Sequence, residues 1–283
     1  MKNRIQPPLR HLYRWLKKEL ARRGYCSKPS FLIIGAQKAG TSALFSMLGQ
    51  HPQLVAPRNK EPAFFHDREF SAGIAYGDFP AYHALFPPPH RLRRGQMTFE
   101  ATPEYLIFPE CPQRIHAYDP RMKLVAILRD PVARAYSGWN MFRNFANSPD
   151  AAPRALAERR PFAEAIDAEI KLIEQGRSTR PWNYASTGMY AEHLQRYFQY
   201  FPRDAMLILD HAELLRSPAA SLAATCRFLG IDDAFAFRPK LVHVSSYESA
   251  IPADAARKLR AFFRPLNARL FALLNREFAW ESS

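Results

Sequence analysis

Short, wholly apolar runs punctuate the chain at wide intervals. Phe31-Leu32-Ile33-Ile34 shows no polar alternation and closes on Gly35, which predicts a central strand buried on both faces. Residues 41–50 then place Leu44, Phe45, Met47 and Leu48 at helical spacing, with a break at Gly49 and His51-Pro52. The same order recurs downstream: a strand over 123–128, then a helix over about 132–144. A helical stretch over 189–200 leads into a strand over 205–209, and amphipathic helices are predicted over 217–229 and 252–275. Strands alternating with helices predict an α/β fold: a central, mostly parallel sheet flanked by helices.

Three stretches stand apart. Residues 61–97, rich in aromatics and proline, and residues 144–160 have no clear periodicity and read as lids or substrate loops. Residues 1–28 alternate basic side chains with Ile5, Leu9, Leu12, Trp15, Leu16 and Leu20 in a helical, amphipathic pattern. The chain divides on this reading into an N-terminal arm, 1–28, and one domain over 29–283.

Charge sharpens the division. The 283 residues carry 40 Lys and Arg against 26 Asp and Glu, a net +14. Residues 1–28 hold nine of those cations and one acid, so +8 of the excess lies in the arm. The arm suits an anionic membrane surface or a partner protein, or it packs on the body with a solvated basic face. The remainder is only mildly basic and has no nucleic-acid-binding signature, so no nucleic acid is expected. No apolar run approaches the roughly 20 residues of a membrane span. Cys26, Cys111 and Cys226 lie far apart with no CxxC, which favours a reducing compartment over a disulfide framework. The expected setting is cytoplasmic. No convincing metal-ligand cluster appears among the nine His.

The chemistry begins at the first strand. Gly35-Ala36-Gln37-Lys38-Ala39-Gly40-Thr41-Ser42 joins strand to helix with GxxxxG spacing. Such a loop lets successive backbone N–H groups converge on an anion at a helix N-terminus, and Thr41 and Ser42 add hydroxyls. This is a P-loop-type domain with one departure. A nucleotide triphosphatase places its lysine directly after the second glycine. Here Thr41 stands there and the lysine is inside the loop, at 38. A second anion site is predicted where the 123–128 strand ends in Arg129, with Ser137 about two turns into the next helix. Two separated anion sites suggest a nucleotide with phosphates at both ends.

These two motifs resemble those of the sulfotransferases that use 3′-phosphoadenosine 5′-phosphosulfate (PAPS). Residues 35–42 match their GxxKxGT-S/T loop, and residues 129–137 match their RDPxxRxxS element. Lys60-Glu61-Pro62-Ala63-Phe64-Phe65, the segment from Glu100 to Leu106 and the segment from Gly188 to Leu194 are similar to the bacterial and heparan-type carbohydrate branch, and residues 262–267 with 278–280 resemble its C-terminal end. The resemblance covers about residues 30–281. It implies a P-loop-type fold and sulfuryl transfer to a hydroxyl of a small-molecule or glycan acceptor, leaving adenosine 3′,5′-bisphosphate (PAP), without a metal. It further implies Glu61 as base, Lys38 on the departing bridging oxygen, Gly35, Gln37, Ala39, Gly40, Thr41 and Ser42 around the 5′-phosphosulfate, and Arg129 and Ser137 on the 3′-phosphate. Two features depart from the branch. Ala101 stands where heparan-type enzymes carry a lysine, and their late Lys-Gly-Arg loop has no match near 239–249, where Arg238, Lys240 or His243 would substitute.

Two other classes compete. Residues 123–128 followed by Asp130 resemble the strand and acid of a P-loop kinase or nucleotide triphosphatase, and the basic arm would suit a non-enzymatic anion-binding module. Magnesium-dependent ATP turnover would mark the first, and salt-sensitive DNA or vesicle retention lost with residues 1–28 the second.

Overall fold

The computed structural model describes residues 7–57, 59–66, 74–238 and 250–280. Helix α1 (Pro7–Arg22) precedes strand β1 (Pro29–Gly35), helix α2 (Thr41–Leu48), the short β2 (Leu54–Val55), helix α3 (Phe79–His83) and β3 (Met97–Ala101). Helix α4 (Cys111–Tyr118), β4 (Lys123–Leu128), α5 (Pro131–Asn144), α6 (Ala151–Ala155), α7 (Phe162–Glu174) and α8 (Tyr190–Phe198) follow. The chain continues through β5 (Met206–Asp210), α9 (His211–Arg216), α10 (Pro218–Leu229) and α11 (Ala253–Leu274).

The five strands form one sheet in the order β2-β3-β1-β4-β5, with every pairing parallel. Parallel strands need a crossover between them, and the connecting helices cover both faces. Phe31, Leu32, Ile33 and Ile34 on β1, and Leu124 through Leu128 on β4, are fully buried as their unbroken apolar runs require. A second apolar cluster joins α5, α7 and α11 through Tyr136, Trp139, Phe162, Ile166, Leu259 and Phe263.

The strand order has a functional consequence. From β1 the chain runs to the edge strand β2 and returns inward to β3, then crosses β1 to β4 and β5 on the other side. The direction of winding reverses between β1 and β4, which opens a crevice at their carboxyl ends. Both predicted anion motifs leave the sheet at that crevice.

The expected strands and helices of the domain appear within a residue or two of their predicted bounds, whereas the helix of the arm ends at Arg22 rather than near residue 28. Strands β2 and β3 were not foreseen. Thr98 and Glu100 interrupt the apolar pattern of β3 yet are buried, at 1% and 0% exposure, so polarity there does not mark an outward face. The irregular 61–97 stretch contains α3, capped by Asp78 accepting from Ala81 N–H. Helices α4, α6, α7 and α9 were also missed.

Candidate active site

The loop after β1 is shaped by crowding as much as by glycine freedom. A Cβ on Gly35 would sit 2.6 Å from Leu106 Cβ and 3.0 Å from the Pro103 carbonyl, so only glycine passes beneath that turn. Ala36 N–H donates to the Ile127 carbonyl at 2.8 Å, which ties the loop to β4. Lys38 (φ 67°) and Gly40 (φ 97°) both adopt left-handed backbone, and Gly40 caps α2. Alternating hand in this way curls a backbone so that its N–H groups face one concavity. The N–H groups of Thr41, Ser42 and Ala43, in the first turn of α2, have no intrahelical acceptor and add the positive end of the helix dipole.

Arg129 closes the other side. It leaves β4 and donates from Nη1 to the Lys38 carbonyl at 3.1 Å, while its own carbonyl accepts from Tyr190 Oη at 2.9 Å. The two anion motifs, 91 residues apart in sequence, are thus in direct contact. Asp130 turns away from any ligand: its two carboxylate oxygens accept from Val132 N–H (3.1 Å) and Ala133 N–H (3.2 Å) at the start of α5. Burial still leaves that carboxyl raised, despite those two N–H groups. Ser137 lies two turns into α5 and is 2% exposed.

Sequence reasoning missed His211. It opens α9 directly after β5, and a Cβ on Gly40 would approach its Cδ2 to 3.1 Å. Burial, with Arg129 adding like charge, pushes its imidazole down to about 4, so it stands neutral beside the loop at pH 7. Arg134, within the RDPxxRxxS element, is fully buried and donates from Nη2 to the Tyr184 carbonyl. Its Nε and Nη1 meet no acceptor among the described residues. The exposed Arg260 of α11 acts electrostatically on Asp130, which brings a further cation to this end of the sheet.

Glu61 comes to the same end of the sheet by another route. The Lys60 carbonyl accepts from Ala101 N–H at 3.2 Å, so the Glu61 segment runs beside the end of β3. Thr102 N–H donates to the Ile33 carbonyl at 3.1 Å, which places that end next to β1. The Glu61 side chain is 49% exposed and ion-paired with Lys60. It therefore sits at an open rim.

Beneath that segment lies Glu100, fully buried on β3. It accepts from Tyr82 Oη (2.7 Å), Thr102 Oγ1 (2.7 Å) and Tyr105 Oη (3.0 Å). The Thr102 and Tyr105 hydroxyls in turn accept from Ala63 N–H (3.4 Å) and Phe64 N–H (2.9 Å). Burial pushes the Glu100 carboxyl up to about 7, with the charge of Glu61 adding to it. Nothing in the sequence separates Glu100 from a surface acid except its place in the segment from Glu100 to Leu106.

Other histidine and aromatic side chains of the irregular segments have partners of their own. His66 stacks on Phe108 (4.5 Å) and faces Glu104, and His83 bonds Tyr118 Oη at 2.9 Å. Tyr82 stacks on Phe64, while Tyr184 and Trp182 bond Glu158 and the Leu156 carbonyl. Ala101 is buried and leaves the end of β3 without a cation at that position. Arg238 is exposed, its backbone held by the Gln50 side chain on both N–H and carbonyl at 3.0 Å; Lys240 and His243 lie outside the described residues.

The loop curvature, the cradle at Gly40 and the adjoining Arg129 suit a ligand with anionic groups at two ends. Residues 28–249 match the sulfotransferase domain family. Human heparan sulfate glucosamine 3-O-sulfotransferase 6 is 31% identical over 276 residues, spanning 89% of this chain and 73% of that protein. Human bifunctional heparan sulfate N-deacetylase/N-sulfotransferase 3 is 30% identical over 227 residues, 78% of this chain and 24% of that protein. Among solved structures, a sulfotransferase from Alicyclobacillus acidocaldarius superposes with a TM-score of 0.73 at 30% identity, covering 90% of this chain and 99% of that one. The chain belongs to the sulfotransferase family.

Proposed function

We propose that this enzyme moves the sulfuryl group of PAPS to a hydroxyl of a carbohydrate or carbohydrate-bearing metabolite. The observation that carries the proposal is the Arg129–Lys38 contact, which joins the two anion motifs at the crevice between β1 and β4. The loop from Gly35 to Ser42, with Gln37 and Ala39 in its span, would hold the 5′-phosphosulfate, and Arg129 and Ser137 the 3′-phosphate.

The chemistry asks for positioning and charge stabilisation, as in phosphoryl transfer. The acceptor oxygen attacks sulfur, and the bond from sulfur to the bridging phosphate oxygen breaks. The acceptor proton passes to Glu61, whose rim position opens it to an incoming hydroxyl. Negative charge grows on the departing 5′-phosphate, where Lys38 and the first-turn N–H groups of α2 oppose it. No step calls for a metal, and among the described residues no cluster of three or more His, Cys, Asp or Glu could hold one. The kinase reading loses its support, because the Asp130 oxygens are taken up in capping α5. The relatives' names favour a carbohydrate acceptor. A cytoplasmic setting and an anionic surface as partner for residues 1–28 complete the proposal. The free thiols of Cys26, Cys111 and Cys226 fit a reducing compartment.

Calorimetric titration with PAP, against ADP and AMP and without magnesium, tests the donor site. Binding of the bisphosphate alone, lost in Arg129→Ala, is expected. Equal binding of ADP, or a requirement for magnesium, would overturn the reading. Incubation with PAPS and panels of sugar hydroxyls and amines then separates O- from N-transfer.

A further inference from the structure

Helix α1 is amphipathic, yet it meets the body with its polar side. Lys17 Nζ donates to the Phe86 carbonyl at 2.5 Å, and Lys18 Nζ pairs with Asp78 at 2.6 Å, next to α3. Ala21 is the one buried residue between 12 and 22. The apolar side faces outward: Leu12 is 52% exposed, Trp15 58%, Leu16 44%, Leu20 42% and Tyr13 40%. At helical spacing Leu12, Leu16, Leu20 and Tyr13 fall within an arc of about 100°, with Trp15 at its edge. Lys17, Lys18 and Ala21 lie on the opposite arc. A helix folded only to cover the domain would be turned the other way. An outward stripe of large apolar groups signals a further partner.

Charge selects the partner. Residues 1–28 carry a net +8, and Arg22 and Arg23 are exposed beside the stripe. Glu19, the one acid there, is paired with Arg22 (3.1 Å) and Arg23 (3.5 Å). Two such arms meeting face to face would repel, which disfavours a second copy of the chain. A bilayer with anionic headgroups satisfies both features, since leucine and tryptophan enter the headgroup–acyl boundary while arginine meets the lipid phosphates.

We propose that α1 is an interfacial anchor that docks this sulfotransferase on an anionic phospholipid surface, held to the domain by Lys17 and Lys18 and to the lipid by its outward face. The helix lies on the bilayer; among the described residues no helix is long and apolar enough to cross one. The proposal is independent of the donor site. It would place the enzyme where membrane-borne acceptors are presented.

The test is flotation of the full chain with vesicles of phosphatidylcholine, alone or with about a quarter phosphatidylserine. The expected result is flotation with the anionic vesicles only, weakening as salt rises, and roughly tenfold weaker in both Leu12→Ser/Leu16→Ser and Arg22→Glu/Arg23→Glu. Equal flotation with neutral vesicles, no flotation, or variants that float like the parent would overturn the proposal. Sedimentation that reveals a dimer dissolved by Leu12→Ser/Leu16→Ser would overturn it too, assigning the face to a second copy. Thermal melting establishes that the variants are folded. Failure of PAP to bind parent and variant alike would count against the donor site and leave the flotation result standing.

Discussion

At the scale of single residues, the site divides into groups that meet the ligand and groups that hold them. Lys38 has its backbone fixed by a left-handed conformation and by Arg129 on its carbonyl, independently of the acceptor. Lys38→Ala should lower kcat by roughly 10²–10³-fold, the usual cost of one preorganised charge-stabilising donor. Near-normal turnover would remove it from the chemistry. Glu61→Gln should keep PAP affinity while the rate falls by roughly 10²–10⁴-fold; an unchanged rate would exclude Glu61 as base.

Glu100 acts one layer deeper. Because it only accepts when ionised, it orients the Thr102 and Tyr105 hydroxyls so that their lone pairs receive Ala63 and Phe64 N–H. Its folded-state value near 7 lies above the ordinary 4.5. Between those values the folded protein holds a proton that the unfolded chain has released, so this group lowers stability as pH rises through the window. The slope reaches at most ~1.4 kcal/mol per pH unit. Glu100→Gln does not titrate at this position. The stability advantage of the parent over this variant should therefore shrink from pH 5 to pH 8, measured by denaturant unfolding. A constant gap would mean that Glu100 does not change protonation there.

At the scale of elements, the junction of β1 with α2 is the sensitive one. Gly40 needs both its positive φ and the space occupied by His211, which arrives on α9 from the far side of the sheet. Gly40→Ala should weaken PAP binding by about tenfold or more, since left-handed backbone costs a non-glycine residue roughly 1–2 kcal/mol before any clash. Undiminished affinity would show that the cradle is not where the phosphate sits. Helix α5 carries a different demand. Asp130 caps its first turn, and the same helix then delivers Arg134 and Ser137 inward, so one short motif supplies a cap, a buried guanidinium and a hydroxyl.

At the scale of the whole molecule, donor-side binding should stabilise the entire domain, because the loops it joins leave two central strands. At one hundred times its dissociation constant PAP should add about 2.7 kcal/mol, which for a domain of this size raises the melting temperature by about 5 °C. ADP at the same concentration should leave it unmoved. A shift that survives Arg129→Ala would contradict a site shared by both motifs.

The chain itself carries much of this in readable form. Short unbroken apolar runs that close on glycine or a turn and alternate with helical patterns mark doubly covered strands, so β1, β4 and β5 are legible, as are the loop from Gly35 to Ser42 and Arg129 at a strand end. Their spacing expresses local backbone geometry, which sequence encodes directly. Other features depend on contacts between distant segments. Strand β3 hides because Glu100 is buried among hydroxyls contributed by Tyr82, Thr102 and Tyr105. His211 becomes part of the loop's surroundings only because β5 pairs with β4 and ends beside it. The meeting of Lys38 with Arg129 follows from the reversal of winding between β1 and β4. The outward turn of α1 follows from which of its faces finds partners near α3. Hydrophobic periodicity says that a face exists; the packing of the rest of the chain decides what it faces.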